Sequence, residues 1–225
     1  MTEGGGGSEF LERLGPDAAA EFEALGARRR FPAGTTLFME GDRAHEAFLL
    51  LRGEVKVSVV SVDGREVVLD VFEPGRLLGE LSVVDGRPRS ATLVALSPVE
   101  VLSVAAGPFN EFLDRHPAAL RHLLVEVADR LRTRVRHQME FGAGDALGRV
   151  CARLAELADR QAVSQGGPAA IRSPVSQTDL AAWTGLSREA VVKALRALRQ
   201  LGWIESHGRD ITITDLEQVR RRAVH

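Results

Sequence analysis

Two charged residues near the middle of the chain carry the most specific chemical signal. Arg89 offers a forked, permanently charged donor set to a phosphate, and Glu80 offers an acceptor to a sugar hydroxyl. Gly79 lets the backbone approach a ligand closely, and the free N–H groups of a short helix starting there would hold an anion. A Glu80–Arg89 ion pair that closes a loop explains the same residues, and chemistry alone does not separate the two interpretations.

A second concentration of charge lies between residues 187 and 200. On a helical wheel one arc is mostly charged, with Arg188, Glu189, Val192, Lys193, Arg196 and Arg199. The opposite arc is apolar, with Val191, Ala194, Leu195, Leu198 and Leu201. A helix held by its apolar arc can present the charged arc to a DNA major groove. A solvated helix face is the plainer interpretation, because basic faces are common.

The residues around this helix predict a winged helix-turn-helix. Ser176 and Asp179 have the spacing of a capping box, and Ser187 can cap the second helix. Gly185 stands where the turn needs left-handed backbone. Residues 202–206 and 210–213 then predict a β-hairpin, the wing. A winged-helix module that contacts protein is the alternative to a DNA-binding one.

The elements upstream change from β-strands to one long helix. From Phe31 to about Val104, short Val- and Leu-rich runs alternate with Gly and Pro, which predicts a small β-barrel or sandwich after short helices in 9–26. Val55–Val59 alternates as a half-buried strand does, and Asp63-Gly64 predicts a hairpin turn.

The predicted helix, residues 117–141, carries a heptad seam at Leu120, Leu124, Val127 and Leu131. The seam suits pairing with a second copy, but packing of the helix on its own domain is an equally good interpretation. Residues 142–144 are expected to break the helix and to form a hinge. Asp145 can then cap a further helix, residues 146–160.

Composition excludes several classes of protein. The 225 residues carry a net charge of −2, but residues 1–141 hold 17 Lys and Arg against 22 Asp and Glu, a charge of −5, and residues 142–225 have a charge of +3. The single cysteine excludes an intrachain disulfide framework and indicates a reducing, cytoplasmic setting. No apolar run is long enough to span a membrane, no signal peptide is expected, and the Gly-rich residues 1–8 are expected to be disordered.

Two motifs resemble one known family. Gly79-Glu80-Leu81-Ser82 and, after a short spacer, Arg89-Ser90-Ala91 resemble the phosphate-binding cassette of cyclic-nucleotide-binding domains. The turn and helix at 185–189 resemble the bacterial cyclic-AMP receptor protein/fumarate-nitrate regulator (CRP/FNR) family. The resemblance covers roughly residues 9–222. It implies an α+β fold with a β-roll domain (9–116), a long dimerisation helix (117–141) and a C-terminal winged helix-turn-helix domain (142–225).

The resemblance also implies ligand contacts. Glu80 would bind the ribose 2′-hydroxyl, and Arg89 and Ser90 would hold the cyclic phosphate. The backbone at Gly79, Leu81 and Ala91 would help. Cyclic-AMP sensors of the family hydrogen-bond the adenine through small hydroxyl residues late in the dimer helix, where this chain has Arg134 and Val135, with Thr133 one place earlier. Thr133 could make this hydrogen bond after a slight rotation, whereas Arg134 could stack on a base or repel the same arginine of the second subunit.

For DNA, the resemblance implies that Arg188, Glu189 and Lys193 read base edges, in half-sites resembling GTGA. Lys193 replaces the family's usual arginine, whose planar guanidinium suits a bidentate guanine contact better than a lysine ammonium does. The further DNA contacts that we predict are made by Ser176, Gln177, Ser187, Arg196 and Arg199.

These expectations combine into a homodimeric transcription regulator of double-stranded DNA, gated by a cyclic nucleotide, with cyclic AMP expected and RNA polymerase as a possible partner. One alternative is a regulator of the same fold that binds DNA without cyclic AMP or senses another nucleotide. The other is a signalling module that acts through protein partners. We expect no enzyme, because Walker, metal-ligand and nucleophile motifs are missing. We also expect no metal, haem, iron–sulfur cluster or membrane contact.

Overall fold

The computed structural model describes residues 9–143, 145–165, 175–207 and 210–223. The chain divides into two compact units, which are described separately. The first comprises residues 1–59 and 69–132, and the second comprises residues 60–68 and 133–225. The predicted disordered tail, residues 1–8, lies outside the described residues.

Antiparallel strands build most of the N-terminal part, after the short helices α1 (Glu9–Leu14) and α2 (Pro16–Leu25) that the sequence predicts. The strands β1 to β8 span Ala27–Phe31, Thr36–Phe38, Glu46–Arg52, Val55–Val60, Glu66–Phe72, Leu77–Leu78, Thr92–Ala95 and Val99–Ala105. They form two four-stranded sheets, in the orders β1-β8-β3-β6 and β2-β7-β4-β5. The predicted hairpin at Asp63-Gly64 is confirmed, since Ser61 N donates to Arg65 O across it at 2.9 Å.

Strand β3 shows how the sheets are buried on both faces. Phe48 and Leu50 pack with Leu93 and other residues of the second sheet. Leu49, between them, packs with Phe22 and other residues of the helices. Side chains alternate across a strand, so one apolar run serves two cores. Full burial of each such side chain contributes about 1.5–3 kcal/mol relative to exposure.

The helices α4 (Ala106–Arg115) and α5 (Pro117–Ala143) follow the sheets, and α3 (Glu80–Asp85) lies between β6 and β7. Helix α5 extends two residues beyond the predicted end, so the predicted break is wrong at Gly142 and Ala143, which continue the helical backbone. Gly144, the rest of the predicted break, lies outside the described residues.

Most of the seam of α5 lies outside the face that packs on the core of the first unit. Ala119 and Leu123 are buried against the sheets and helices of that unit. Leu120, Leu124 and Leu131 of the seam are 46%, 67% and 62% exposed, and Val127 is half-buried against the same core. Packing of the helix on its own unit therefore leaves most of the seam uncovered.

The C-terminal part is mainly helical. Its elements are α6 (Ala146–Gln165), α7 (Gln177–Thr184), α8 (Arg188–Gln200), β9 (Ile204–His207), β10 (Asp210–Ile213) and α9 (Leu216–Ala223). The expected cap at Asp145 is confirmed, since Gly148 N donates to Asp145 Oδ1 at 2.8 Å. Helix α6 was expected to end at residue 160 and continues to Gln165, because no Pro or Gly interrupts it before residue 166.

Helix α9, which the sequence analysis did not anticipate, returns to the start of α6. Val219 is fully buried, and Arg222 Nη2 donates to Asp145 Oδ2. A Cβ added at Gly148 would lie 3.1 Å from Arg222 Nη1, so a side chain there would crowd the contact. Helix α9 therefore contacts the first turn of α6 through Arg222.

Two further observations concern the single cysteine and the absence of a predicted membrane span. Cys151 is buried, and burial raises the pKa of its thiol to about 11, which leaves it protonated and poorly reactive at neutral pH. Among the described helices, none is both long and apolar enough to cross a membrane.

Candidate functional site

Gly79 sets the geometry of the candidate phosphate site. It precedes α3 with left-handed backbone, φ +72°, which a glycine adopts without strain. A Cβ at this position would lie 2.4 Å from Arg89 Nη1. The absence of a side chain therefore lets the guanidinium of Arg89 reach the backbone, where its Nη1 donates to Gly79 O at 2.7 Å.

Arg89 is buried and is held by neutral groups. Its Nη2 donates to Glu46 O at 2.6 Å, and its Cζ lies 4.1 Å from the centroid of the Phe38 ring. Its Nε is buried and has no hydrogen-bond partner within the described residues. The backbone around Arg89 is also fixed, because Arg89 N donates to Asp42 O at 2.8 Å and Gly41 N donates to Arg89 O at 2.9 Å.

Glu80 pairs with a different arginine. Its carboxylate is 2% exposed and accepts from Arg130 Nη1 at 2.8 Å. Burial raises the pKa of the Glu80 carboxyl, and the charge of Arg130 opposes that rise. The Glu80–Arg89 ion pair that the sequence left open does not form, because Arg89 donates to carbonyl oxygens instead.

Arg130 and Glu126 are site residues that the sequence analysis missed. Arg130 Nη2 donates to Leu77 O at 2.7 Å and to Glu126 Oε1 at 2.6 Å, and its Cζ lies 4.8 Å from the centroid of the Phe72 ring. The four-residue spacing of Glu126 and Arg130 on one helix was the available signal. The same spacing is equally consistent with an exposed ion pair on the helix surface, so it does not by itself predict the buried pair of Glu126 and Arg130.

The remaining predicted ligand residues fall into three groups. Leu81 is 45% exposed and Ser90 is exposed, whereas Ala91 is buried. Thr133 is half-buried and belongs to the second unit. The side chain of Arg134 lies outside the described residues. The structure thus brings Gly79, Glu80, Arg89 and their immediate neighbours together within the first unit.

The predicted turn of the helix-turn-helix is confirmed. Ser176 Oγ accepts from Asp179 N at 3.1 Å, and Asp179 Oδ2 accepts from Ser176 N at 3.2 Å, which completes the capping box of α7. Gly185 ends α7 in left-handed backbone with φ +66°. Ser187 then caps α8, accepting from Ala190 N at 3.2 Å. Each cap satisfies N–H groups that would otherwise lack partners.

Helix α8 separates into the two predicted arcs. The apolar arc is buried at Val191, Ala194, Leu195 and Leu198. The other arc is exposed at Arg188, Glu189, Val192, Lys193, Arg196 and Arg199. The placement of Leu201 on the buried arc is wrong. Leu201 lies just beyond the last helical residue and is 53% exposed, because the chain turns there towards β9.

Most cations of the exposed arc have no carboxylate partner in the part of the chain that the structure describes. Arg188, Lys193 and Arg196 form no ion pair within the described residues. Arg199 Nε donates to Leu195 O of its own helix at 3.3 Å. The pKa of Glu189 is lowered by hydrogen bonding to backbone N–H and to Ser187, so it stays ionised at the start of α8. The exposed arc of α8 therefore presents hydrogen-bond donors and an ionised acceptor side by side to a polyanion.

The other predicted DNA contacts border this surface in sequence. Ser176 is half-buried at the cap of α7, while Gln177 and Ser187 are exposed. Strands β9 and β10 form the predicted wing, with His207 opposite Asp210 and Ile204 opposite Ile213. Its turn residues, 208 and 209, lie outside the described residues.

Comparison with known families matches both parts of the chain. A cyclic nucleotide-binding domain family matches residues 28–116, and a Crp-like helix-turn-helix domain family matches residues 148–222. A "CRP-like cAMP-activated global transcriptional regulator" from Mycobacterium tuberculosis is 31% identical over 221 residues, which cover 96% of this chain and 99% of that protein. The chain belongs to the CRP/FNR family of transcription regulators. The predicted α+β architecture and the function of a DNA-binding transcription regulator are confirmed with it.

Further members of the CRP/FNR family share the fold. A "cAMP-activated global transcriptional regulator CRP" from Pasteurella multocida is 28% identical, over 82% of this chain and 88% of that protein. A solved CRP-family transcriptional regulator from Thermus thermophilus has a TM-score of 0.70 at 26% identity, covering 88% of this chain and 97% of its own. FixK2 from Bradyrhizobium japonicum, at 21% identity and a TM-score of 0.76, covers 87% of this chain and 96% of its own and shows the fold alone.

Proposed function

We propose that this regulator binds a cyclic nucleotide at Gly79, Glu80 and Arg89, and that its effector is cAMP. The observation that carries the proposal is the state of Arg89, a buried cation with an unpartnered Nε and no carboxylate partner within the described residues. Burying a charge without a counter-ion is costly, and a bound phosphate would supply one. Ser90 and the backbone at Leu81 and Ala91 complete the phosphate contacts.

The choice of cAMP rests on the relatives. Those from Mycobacterium tuberculosis and Pasteurella multocida carry the words "cAMP-activated" in their names. In this proposal the ribose 2′-hydroxyl donates to Glu80, whose burial makes an added donor favourable. The same proposal gives Thr133 and Arg134 the recognition of the base, and with it the choice between adenine and guanine.

The regulator acts as a homodimer through the seam of α5. Leu120, Leu124 and Leu131 are large apolar side chains exposed at heptad spacing, as in helices that pair with a second copy. Arg130, on the same helix, contacts Glu80, so a ligand at Glu80 acts directly on the pairing helix. The change would rotate the DNA-binding domains about residues 142–145 and place the two recognition helices one DNA turn apart, about 34 Å.

On DNA, Arg188, Glu189 and Lys193 read base edges. Ser176, Gln177, Ser187, Arg196 and Arg199 hold the phosphate backbone, which fixes the register of the helix in the groove. We further propose that the protein works in the cytoplasm, that RNA polymerase is a partner, and that its function includes no catalytic step.

The experiment is a fluorescence-anisotropy titration of a palindromic GTGA-type duplex, with and without cAMP, and with a shuffled duplex as control. We expect cAMP to raise the affinity for the palindrome by about 5- to 150-fold, the usual range of allosteric coupling. Equal affinity with and without cAMP would contradict gating by cAMP. Equal affinity for the two duplexes would contradict the base-reading roles on α8.

A parallel titration with cyclic GMP separates the nearest alternative. Arg134 and Val135 stand where cyclic-AMP sensors of the family have hydroxyl residues, and this departure favours testing a second nucleotide. Gating by cyclic GMP alone would keep the roles of Glu80 and Arg89 and replace the proposed effector.

A further inference from the structure

The buried arginine of the phosphate site rests on an aromatic ring. Phe38 ends β2, and its ring centroid lies 4.1 Å from Arg89 Cζ, within the range of a cation–π contact. The same ring approaches Gly79, where an added Cβ would lie 3.1 Å from Phe38 Cε1. Ring, guanidinium and glycine therefore form one packed layer.

The carboxylates close enough to influence Arg89 are each engaged elsewhere. Glu46 accepts from Arg29 at 2.7 Å through its side chain and offers Arg89 only its backbone oxygen. Glu80 accepts from Arg130, and Asp42 Oδ2 accepts from Met39 N at 2.9 Å. Burial lowers the pKa of the Arg89 guanidinium, and these carboxylates oppose that shift through their charge without hydrogen-bonding to Arg89.

We propose that Phe38 is a positioning residue that holds the Arg89 guanidinium by its π face in place of a carboxylate, and so keeps that charge available for the ligand phosphate. The inference rests on the proposed cyclic-nucleotide site. A ring attracts a cation through its quadrupole and orients the planar guanidinium without competing for an anion. An ion pair would hold the arginine as firmly and would have to break or share when phosphate binds.

The ring itself is well fixed. Phe38 stacks on Phe48, with centroids 6.1 Å apart and planes 12° apart, and Phe48 is almost fully buried. Phe31 meets Phe48 edge to face at 6.4 Å and lies under a different arginine, Arg29, at 5.0 Å. The three rings form a continuous aromatic support, of which Phe38 is the member that touches Arg89.

The test measures cAMP binding by isothermal titration calorimetry to the full chain with fluorinated phenylalanines at position 38. Stepwise fluorination (4-fluoro, 3,5-difluoro, 3,4,5-trifluoro) weakens the ring quadrupole and changes its shape little. We expect affinity to fall at each step. Phe38→Leu should lose about 2- to 30-fold, the range of exposed to desolvated cation–π contacts, and Phe38→Trp should retain binding.

Phe31→Leu is the matched control, since it removes a ring from the same aromatic support without touching Arg89. Its affinity should stay within about twofold of the wild type, because the cation–π contact of Arg89 is kept. Affinity that does not change across the fluorinated series would overturn the role of Phe38 while leaving the site intact. Failure of the unsubstituted chain to bind either cyclic nucleotide would instead overturn the proposed function, and the role of Phe38 with it.

Discussion

Arg89 in the first unit and the cations of α8 in the second are both proposed to meet phosphate, yet their surroundings differ. Arg89 is 4% exposed and is fixed by two carbonyl oxygens and a ring. Arg188, Lys193 and Arg196 are exposed, and their side chains form no ion pair within the described residues. A buried, oriented charge suits a single small anion, whereas exposed charges on long side chains suit a repeating polyanion and are screened by salt.

The largest expected effect concerns the buried charge of Glu80 and its partner Arg130. Arg130→Ala leaves Glu80 buried without its ion-pair partner, which should lower the free energy of unfolding of the first unit by about 3–5 kcal/mol. Hydrogen exchange of the strand amides measures it. Burial raises the pKa of the Glu80 carboxyl, so it takes up a proton more readily in the folded state than in the unfolded chain. The loss should therefore grow as pH rises above the usual carboxyl range and shrink at lower pH.

The matched control for this prediction is Arg130→Ala combined with Glu80→Gln. The neutral amide needs no counter-ion, so the double variant should recover most of the stability and lose the pH dependence. A double variant no more stable than the single one would show that Arg130 acts through its contacts with Leu77, Glu126 and Phe72 rather than by compensating the charge of Glu80.

The next prediction distinguishes the nucleotide site around Arg89 from the DNA-binding surface of α8, because loss of Arg89 should affect only nucleotide binding. Arg89→Ala should lower cyclic-nucleotide affinity by about 100-fold or more, since it removes a desolvated charge–phosphate contact. It should leave ligand-free DNA binding unchanged. Calorimetry measures the first quantity and anisotropy the second. Arg87→Ala is the matched control, because Arg87 lies in the same loop with its side chain 83% exposed. Unchanged nucleotide affinity in Arg89→Ala would contradict the site.

A smaller effect distinguishes two residues of α8. Glu189→Ala should relax preference at one base pair by about tenfold, since a base-edge contact carries sequence information. Arg199→Ala should weaken binding to specific and shuffled duplexes alike and reduce the salt slope by about one. Anisotropy at several salt concentrations with both duplexes measures the two patterns. Identical behaviour of the two variants would contradict the division between base and backbone contacts.

The smallest expected effect concerns the N-terminal cap of α8, the helix that carries the exposed cations. Ser187→Ala removes the oxygen that caps α8, which should lower the free energy of unfolding of the second unit by about 1 kcal/mol. Both tryptophans, Trp183 and Trp203, belong to this unit, so intrinsic fluorescence during urea unfolding reports it. Ser187→Asp keeps a capping acceptor and should retain most of the stability.

The same comparison explains what the sequence could predict. The caps at Ser176 and Ser187, the turn at Gly185 and the arcs of α8 depend on residues a few positions apart, and all were predicted correctly except at Leu201. The partners of Arg89 and Glu80 come from distant segments. Glu46 lies 43 positions from Arg89, and Arg130 lies 50 positions from Glu80. No local pattern states which of several carboxylates and arginines will meet after the sheets fold.

Two further outcomes follow the same rule. The sequence predicts the heptad spacing of the α5 seam. It does not predict whether the rest of the first unit covers that seam, because this depends on where Ala119 and Leu123 pack. Phe38 carries no motif at all, and its ring meets Arg89, 51 positions further along the chain, only in the folded structure. The domain boundaries and the roles of Thr133 and Arg134 remain predictions.

Helix α9 has a consequence for synthesis on the ribosome. Arg222 and Asp145 are 77 positions apart, and their contact joins α9 to the residue that caps α6. Because α9 is translated after the other described elements of this unit, the contact can form only once α9 has left the exit tunnel. A fusion or truncation that disturbs α9 would therefore be felt at the start of α6.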